Sequence, residues 1–169
     1  FKDFKTKKIK YRIKKNLNLI LKENNEIIKS LGVKYKNSYN KKIISKFNKY
    51  PNIRVIGMGG SSLGTEAIYD FLKNKIKKNF CFINNLQSKI NIHNKKNFIN
   101  LVVSKSGNTL ETISNSNVFI KNKEKSIFIT DNKESYLYLL AQKLKAEIVH
   151  HNDFIGGRYS VLSEVGMLP

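Results

Sequence analysis

From residue 52 onward the chain alternates short apolar runs with segments of helical period, and few folds satisfy that alternation. The runs fall at 53–56, 80–83, 98–103, 126–130 and 146–150, and helical patterns occupy 62–75, 86–95, 109–122 and 135–145, the second of them weaker than the rest. Strands that are apolar on both sides and separated by helices pair in parallel, because each parallel pair needs a crossover and the crossover helices cover both faces of the sheet. The expected fold is therefore α/β, a doubly wound parallel five-stranded sheet flanked by helices. A helical segment precedes it. There Ile9, Ile13, Leu17, Ile20 and Leu21 recur at spacings of three and four, and Ile27, Ile28 and Leu31 carry the same stripe to Gly32 as a single helical run. A shorter helix is expected over 39–49, ended by Pro51, which pushes Tyr50 out of the helical region.

The 169 residues, 40% of them hydrophobic, suffice for one sizeable core. Cys81 is the only cysteine, so no internal disulfide can form; within Asn79-Phe80-Cys81-Phe82-Ile83 it reads as a small buried hydrophobe in a reducing, cytoplasmic protein. The net charge of +20 raises the question of nucleic acid. The lysines are scattered among Asn and Ile, however, and the densest clusters, 2–15 and 73–78, lack interleaved aromatic stacking positions, so no nucleic-acid partner is expected. No apolar stretch is long enough for a bilayer, and the basic N-terminus has no signal-peptide core. The chain starts at Phe1 and stops at Pro169, directly after Val165-Gly166-Met167-Leu168, and is expected to be a piece of a longer polypeptide.

Two turns carry the chemistry. Gly57-Met58-Gly59-Gly60-Ser61-Ser62-Leu63-Gly64 follows the first apolar run and opens a helix. It lacks the acidic residue that a dinucleotide site needs about twenty positions on, since Phe82-Ile83 leads to Asn84-Asn85, and it lacks the Lys-Ser/Thr of a P-loop. Either Ser61 is simply the N-cap of a helix after a tight turn, or the glycines admit a ligand to the backbone and the serines bind its oxygens. Ser104-Lys105-Ser106-Gly107-Asn108-Thr109-Leu110-Glu111-Thr112 gathers hydroxyls, backbone N–H groups and one cation at a helix start, the makings of a phosphate cradle. A capping box of Asn108 with Glu111 would account for those two residues only. A third segment, Asp153-Phe154-Ile155-Gly156-Gly157-Arg158-Tyr159-Ser160, sets an arginine behind two glycines.

With GMGGSSLG, SKSGNTLET and GGRYSVLSEVG in this order, the chain resembles the glucose-6-phosphate isomerase family, in particular its first sugar isomerase (SIS) domain. The resemblance is strong from Asn52 to Pro169 and divides the chain into a helical segment, 1–50, and an SIS domain, 51–169, cut short at its C-terminus. It implies interconversion of glucose 6-phosphate and fructose 6-phosphate through a cis-enediolate, in a cytoplasmic homodimer without an organic cofactor. By position it implies that Ser104, Lys105, Ser106 and Thr109 bind the substrate phosphate, that Gly60 and Ser61 line the sugar side, and that Arg158 stands by the reacting carbons. The family's catalytic glutamate, ring-opening histidine and C-terminal lysine are expected beyond Pro169. Glu164 departs from the family, which often has a small residue or proline there, and is expected to alter packing only. His150 and His151 match no family position, His93 reads as a surface residue, and no cluster has metal-ligand spacing. Two other readings remain open: a non-catalytic SIS module that senses a sugar phosphate, and an isomerase that also accepts mannose 6-phosphate.

Overall fold

The computed structural model describes residues 9–23, 25–86, 97–121 and 124–169. These form two compact units, one reaching to Tyr35 and the other from Lys36 to Pro169. The first holds helices α1 (Ile9–Lys22) and α2 (Glu26–Ser30). The uninterrupted helical run to Gly32 is thus corrected to two helices. Asn25 takes an extended backbone conformation and its Oδ1 accepts from Ile27 N at 2.8 Å, so the residue starts a new helix instead of continuing the old one.

In the second unit, α3 (Lys41–Asn48) is capped by Asn40, whose Oδ1 accepts from Ile43 N. Strands β1 (Asn52–Gly57), β2 (Asn79–Ile83), β3 (Phe98–Val103), β4 (Lys125–Thr130) and β5 (Glu147–His150) follow. They form one all-parallel sheet in the order β2-β1-β3-β4-β5. Helices α4 (Leu63–Leu72), α5 (Leu110–Phe119) and α6 (Tyr136–Lys143) lie between strands, and α7 (Glu164–Met167) ends the chain. The weak helical pattern at 86–95 lies outside the described residues except for Leu86.

Every residue of β1 and β3 is buried, as expected of central strands covered on both faces. Their side chains alternate between two cores. Ile53, Val55, Leu101, Val103 and Ile129 pack with Ile43 and Phe47 of α3 and Val165 of α7. Ile56, Val102 and Phe128 pack with Leu137 and Ala141 of α6. Each such side chain contributes roughly 1.5–3 kcal/mol on burial.

Arg54 interrupts the apolar pattern of β1 and is nevertheless buried. One guanidinium nitrogen donates to Asn100 Oδ1 at 2.8 Å, Phe119 O at 2.8 Å and Glu124 Oε2 at 3.0 Å, and the group lies 4.6 Å from the centre of the Phe98 ring. Charge pairing and these bonds offset the cost of taking the cation out of water.

Sheet order locates the site. The chain leaves β1 for β2 on one side, then returns past β1 to β3, β4 and β5 on the other. Ligands in such sheets bind beyond the carboxyl ends of the strands flanking that reversal. Here these are β1 and β3, whose last residues Gly57 and Val103 are register partners.

Candidate functional site

The first turn bends into a short 3-10 helix, Gly59–Ser61, with Gly59 at φ +52. A Cβ on Gly60 would fall under 3.0 Å from the carbonyl of Gly157, so this turn and the arginine-bearing segment touch backbone to backbone. Ser160 Oγ donates to Gly60 O at 3.2 Å and to Gly157 O at 2.8 Å, and a Cβ on Gly64 would lie under 3.0 Å from the side chain of Val161. Gly60, Leu63, Gly64, Gly157, Arg158 and Val161 together line a cavity of about 260 Å³. Ser61 is not a cap. α4 begins at Leu63 with Ser62 before it, and no side chain caps the helix. Ser62 turns back instead, its Oγ donating to Gly59 O at 3.4 Å.

The second turn is held from its other side. Asp131 N donates to Lys105 O at 3.0 Å, Leu137 N to Gly107 O at 3.0 Å and Tyr136 N to Asn108 Oδ1 at 3.0 Å. Gly107 has φ +65, and a Cβ there would lie under 3.0 Å from the side chain of Ser135. The alternative of a capping box by Asn108 does not hold: Asn108 faces the start of α6 and bonds there, while Thr109 is the N-cap of α5 and makes no side-chain cap bond. The first N–H groups of α5 are those that a helix leaves without an internal partner. Buried Ser104 approaches Thr109 at this helix start, Oγ to Oγ1 at 2.9 Å. Ser106 is exposed, and its Oγ accepts from Asn108 N at 3.3 Å.

Of the candidate residues, Ser104 and Thr109 come together as one pair, and Gly60 and Arg158 as walls of one cavity. Ser61 follows Gly60 at the end of the 3-10 turn, half-buried. Among the described residues no hydrogen bond joins the hydroxyl pair to Arg158, which is exposed at the start of a second 3-10 helix, Gly157–Leu162. The connection runs through Lys105, whose Nζ donates to Asp153 O at 2.5 Å, five residues ahead of Arg158.

His151 is 2% exposed, and its Nδ1 lies 3.1 Å from Asn152 O. Burial lowers its pKa from the ordinary histidine value, against opposing pulls from that carbonyl and from Glu164. Glu164 lies wholly inside, its Oε1 accepting from Ser38 N and Ser38 Oγ at 3.0 Å each. Burial, then the Glu164 charge, raises the pKa of Tyr39. His93 lies outside the described residues.

The reading of the sequence missed the β4–α6 turn, where Thr130, Asp131 and Ser135 shape the second motif from outside it. Its hydroxyl-rich stretch at the end of the next strand was the available signal. Among the described residues no group of three or more His, Cys, Asp and Glu could hold a metal, and no helix is long and apolar enough to cross a membrane.

Several known proteins are similar to this chain in sequence or in fold. A glucose-6-phosphate isomerase of Borreliella afzelii is 37% identical over 139 residues, 71% of this chain and 26% of that protein. One from Methanocaldococcus jannaschii is 35% identical over 167 residues, 90% of this chain and 40% of that one. The chain thus spans between a quarter and two fifths of these relatives. A hypothetical protein of Thermus thermophilus superposes with a TM-score of 0.66 at 25% identity over 75% of this chain and 34% of its own. The tagatose-6-phosphate ketose/aldose isomerase of Escherichia coli has the same fold at a TM-score of 0.55, with 16% identity over 72% of this chain and 37% of its own. Residues 21–169 match the family model of phosphoglucose isomerase, both turns and the arginine segment included, and the chain belongs to that family.

Proposed function

We propose that this chain supplies the phosphate cradle and a charge-stabilising guanidinium for the interconversion of glucose 6-phosphate and fructose 6-phosphate. In this reading the phosphate rests among Ser104, Lys105, Ser106, Thr109 and the first N–H groups of α5. The sugar carbons extend past Gly60 and Ser61 toward Arg158. Moving a proton between C1 and C2 puts negative charge on the oxygens of a cis-enediolate, and a fixed guanidinium at that position stabilises the transition state more than the ground state. Binding energy from the remote phosphate holds the carbons in place.

The observation that carries the proposal is the backbone contact of Gly60 with Gly157, which sets Arg158 and the first turn around one cavity at the carboxyl ends of the strands. The proton-transferring base, the ring-opening histidine and the C-terminal lysine are assigned to family positions beyond 169, and the active form to a cytoplasmic homodimer. Calorimetry with glucose 6-phosphate and with arabinonate 5-phosphate, whose carboxylate mimics the enediolate, tests the reading. Replacing Ser104 by Ala and Thr109 by Val together should weaken both ligands about tenfold, the effect of losing hydrogen bonds to a charged group. Arg158→Met should weaken the enediolate mimic well beyond glucose 6-phosphate. Equal loss for both ligands would remove Arg158 from the chemistry, and normal turnover by the 169-residue chain in a coupled assay would refute the assignment of the base elsewhere.

A further inference from the structure

Arg158 owes its place to its backbone. Among the described residues no ion pair holds its guanidinium, so the aim of the side chain depends on how the segment that carries it is anchored. Downstream that segment runs straight into α7. Ser163 N and Ser163 Oγ both donate to Ser160 O, at 3.0 and 2.8 Å, and a Cβ on Gly166 would fall under 3.0 Å from the backbone of Val161. The second 3-10 helix and α7 are therefore packed as one piece, and whatever holds α7 also holds the arginine.

Two sets of bonds hold α7. On one side the carbonyl of Val165, a core residue, accepts from buried Thr65 Oγ1 at 2.8 Å, which ties α7 to α4. On the other side stand Ser38 and Tyr39, directly ahead of the Asn40 cap of α3. Glu164, the first residue of α7, is 0% exposed, and its Oε1 accepts from Ser38 N and from Ser38 Oγ at 3.0 Å each. At the last residue of α7, Met167 O accepts from the Tyr39 hydroxyl at 3.3 Å. The charge of Glu164 also reaches buried His151, so this one carboxyl acts on both ends of residues 151–164. If filling space were its whole task, an apolar side chain would serve at least as well, because a buried carboxyl is costly unless its bonds are made. The departure from the family pattern at 164 thus adds bonds as well as bulk.

We infer that Glu164 is a positioning residue for Arg158: through Ser38 it fixes α7, and with α7 the backbone that aims the guanidinium at the reacting carbons. The inference rests on the reading that Arg158 stabilises the enediolate charge.

Calorimetry on the chain with arabinonate 5-phosphate and with inorganic phosphate tests it. Glu164→Ala should weaken arabinonate 5-phosphate about tenfold, part of what a displacement of about 1 Å costs, and leave inorganic phosphate within about twofold. Glu164→Gln keeps an oxygen to accept from Ser38 and should recover most of that loss. In an Arg158→Met background Glu164→Ala should cost no further affinity for the mimic, which a general loss of structure would not produce. Should Glu164→Ala fail to fold, Ser38→Ala removes only one of the two donors and should still weaken the mimic about threefold, with inorganic phosphate unaffected. Four results would overturn the inference while leaving a selective effect of Arg158→Met intact. These are equal weakening of mimic and inorganic phosphate, no recovery by Glu164→Gln, an undiminished effect in the Arg158→Met background, and binding unchanged by Glu164→Ala and Ser38→Ala alike. Loss of the selective effect of Arg158→Met itself would overturn the role of Arg158, and this inference with it.

Discussion

The two turns at the carboxyl ends of β1 and β3 resemble each other in composition and are built on opposite principles. The first is shaped by what is missing: Gly60 has no side chain, and the backbone of Gly157 occupies the space where a Cβ would stand. The second is shaped by what is added, a set of bonds from the β4–α6 turn to Lys105, Gly107 and Asn108. The first is therefore coupled to a segment nearly a hundred residues away, whereas the second is a rigid extension of its own side of the sheet. A phosphate needs fixed donors, and the backbone of the second turn is braced by the β4–α6 region, with only the Lys105 side chain reaching the arginine segment at Asp153 O. The arginine, by contrast, is only as well placed as the docking of its segment, through the Gly60–Gly157 contact, Ser160 and Val161, on the first turn and α4.

Gly60→Ala is the sharpest way to break this contrast. Its Cβ would meet the Gly157 backbone, which cannot swing aside as a side chain can. The loss should be about 3 kcal/mol of stability, the upper range for overpacking. Affinity for arabinonate 5-phosphate should fall roughly 100-fold, since a displacement of about 1 Å suffices for that, while inorganic phosphate should bind nearly as before. Equal loss of both ligands would mean that the turns are not independently built.

Gly107→Ala should cost about 2 kcal/mol, combining the left-handed backbone with the clash against Ser135. Here the obstacle is a side chain, so adding Ser135→Gly should recover about half of the loss in a double-mutant cycle of thermal melts. Strict additivity of the two substitutions would sink the claim that Ser135 shapes the turn. A smaller contrast follows from the serines. Ser104→Ala removes the 2.9 Å contact with Thr109 and should lower stability by about 1 kcal/mol. Ser61→Ala removes no described side-chain bond and should change stability by less than about 0.5 kcal/mol.

The same contrast decides what could be read from the chain alone. Strand β3 was legible to the residue, because a run of six apolar or small polar side chains before a glycine turn has one economical structure in an α/β pattern. The role of Arg54 within the apolar run of β1 was not legible: it is a buried ion held by Asn100 and Glu124, partners that lie far off in sequence and carry no local mark. The break between α1 and α2 was hidden because the apolar stripe continues across it while one side-chain bond from Asn25 restarts the helix. Asn108 obeyed the pattern of a cap but bonded to α6, a choice made by tertiary packing and not by the spacing of its neighbours. Motif residues could be recognised by type. Their bracing, through Gly157, Ser135 and Asp131, could not, because a glycine announces freedom of conformation without naming what fills the space beside it.

Acid sharpens the comparison with the mildest effect. His151 stands at the head of the segment that docks on the first turn, and its backbone N–H donates to Thr130 O at 2.8 Å. Because burial lowers its folded pKa below the unfolded value of about 6.5, the unfolded chain binds more protons between those two values. The stabilisation that a neutral His151 provides is thus complete above about pH 6.5 and is lost as pH falls toward the folded pKa. Melting temperature should decline through that window, and His151→Gln, which cannot titrate, should flatten the decline. If the folded chain is loosened first where His151 sits, amide exchange on mild acidification should quicken around residues 151–160 before it does in the Ser104–Thr109 turn. Simultaneous loss of protection in both places would show that the two turns share one support after all.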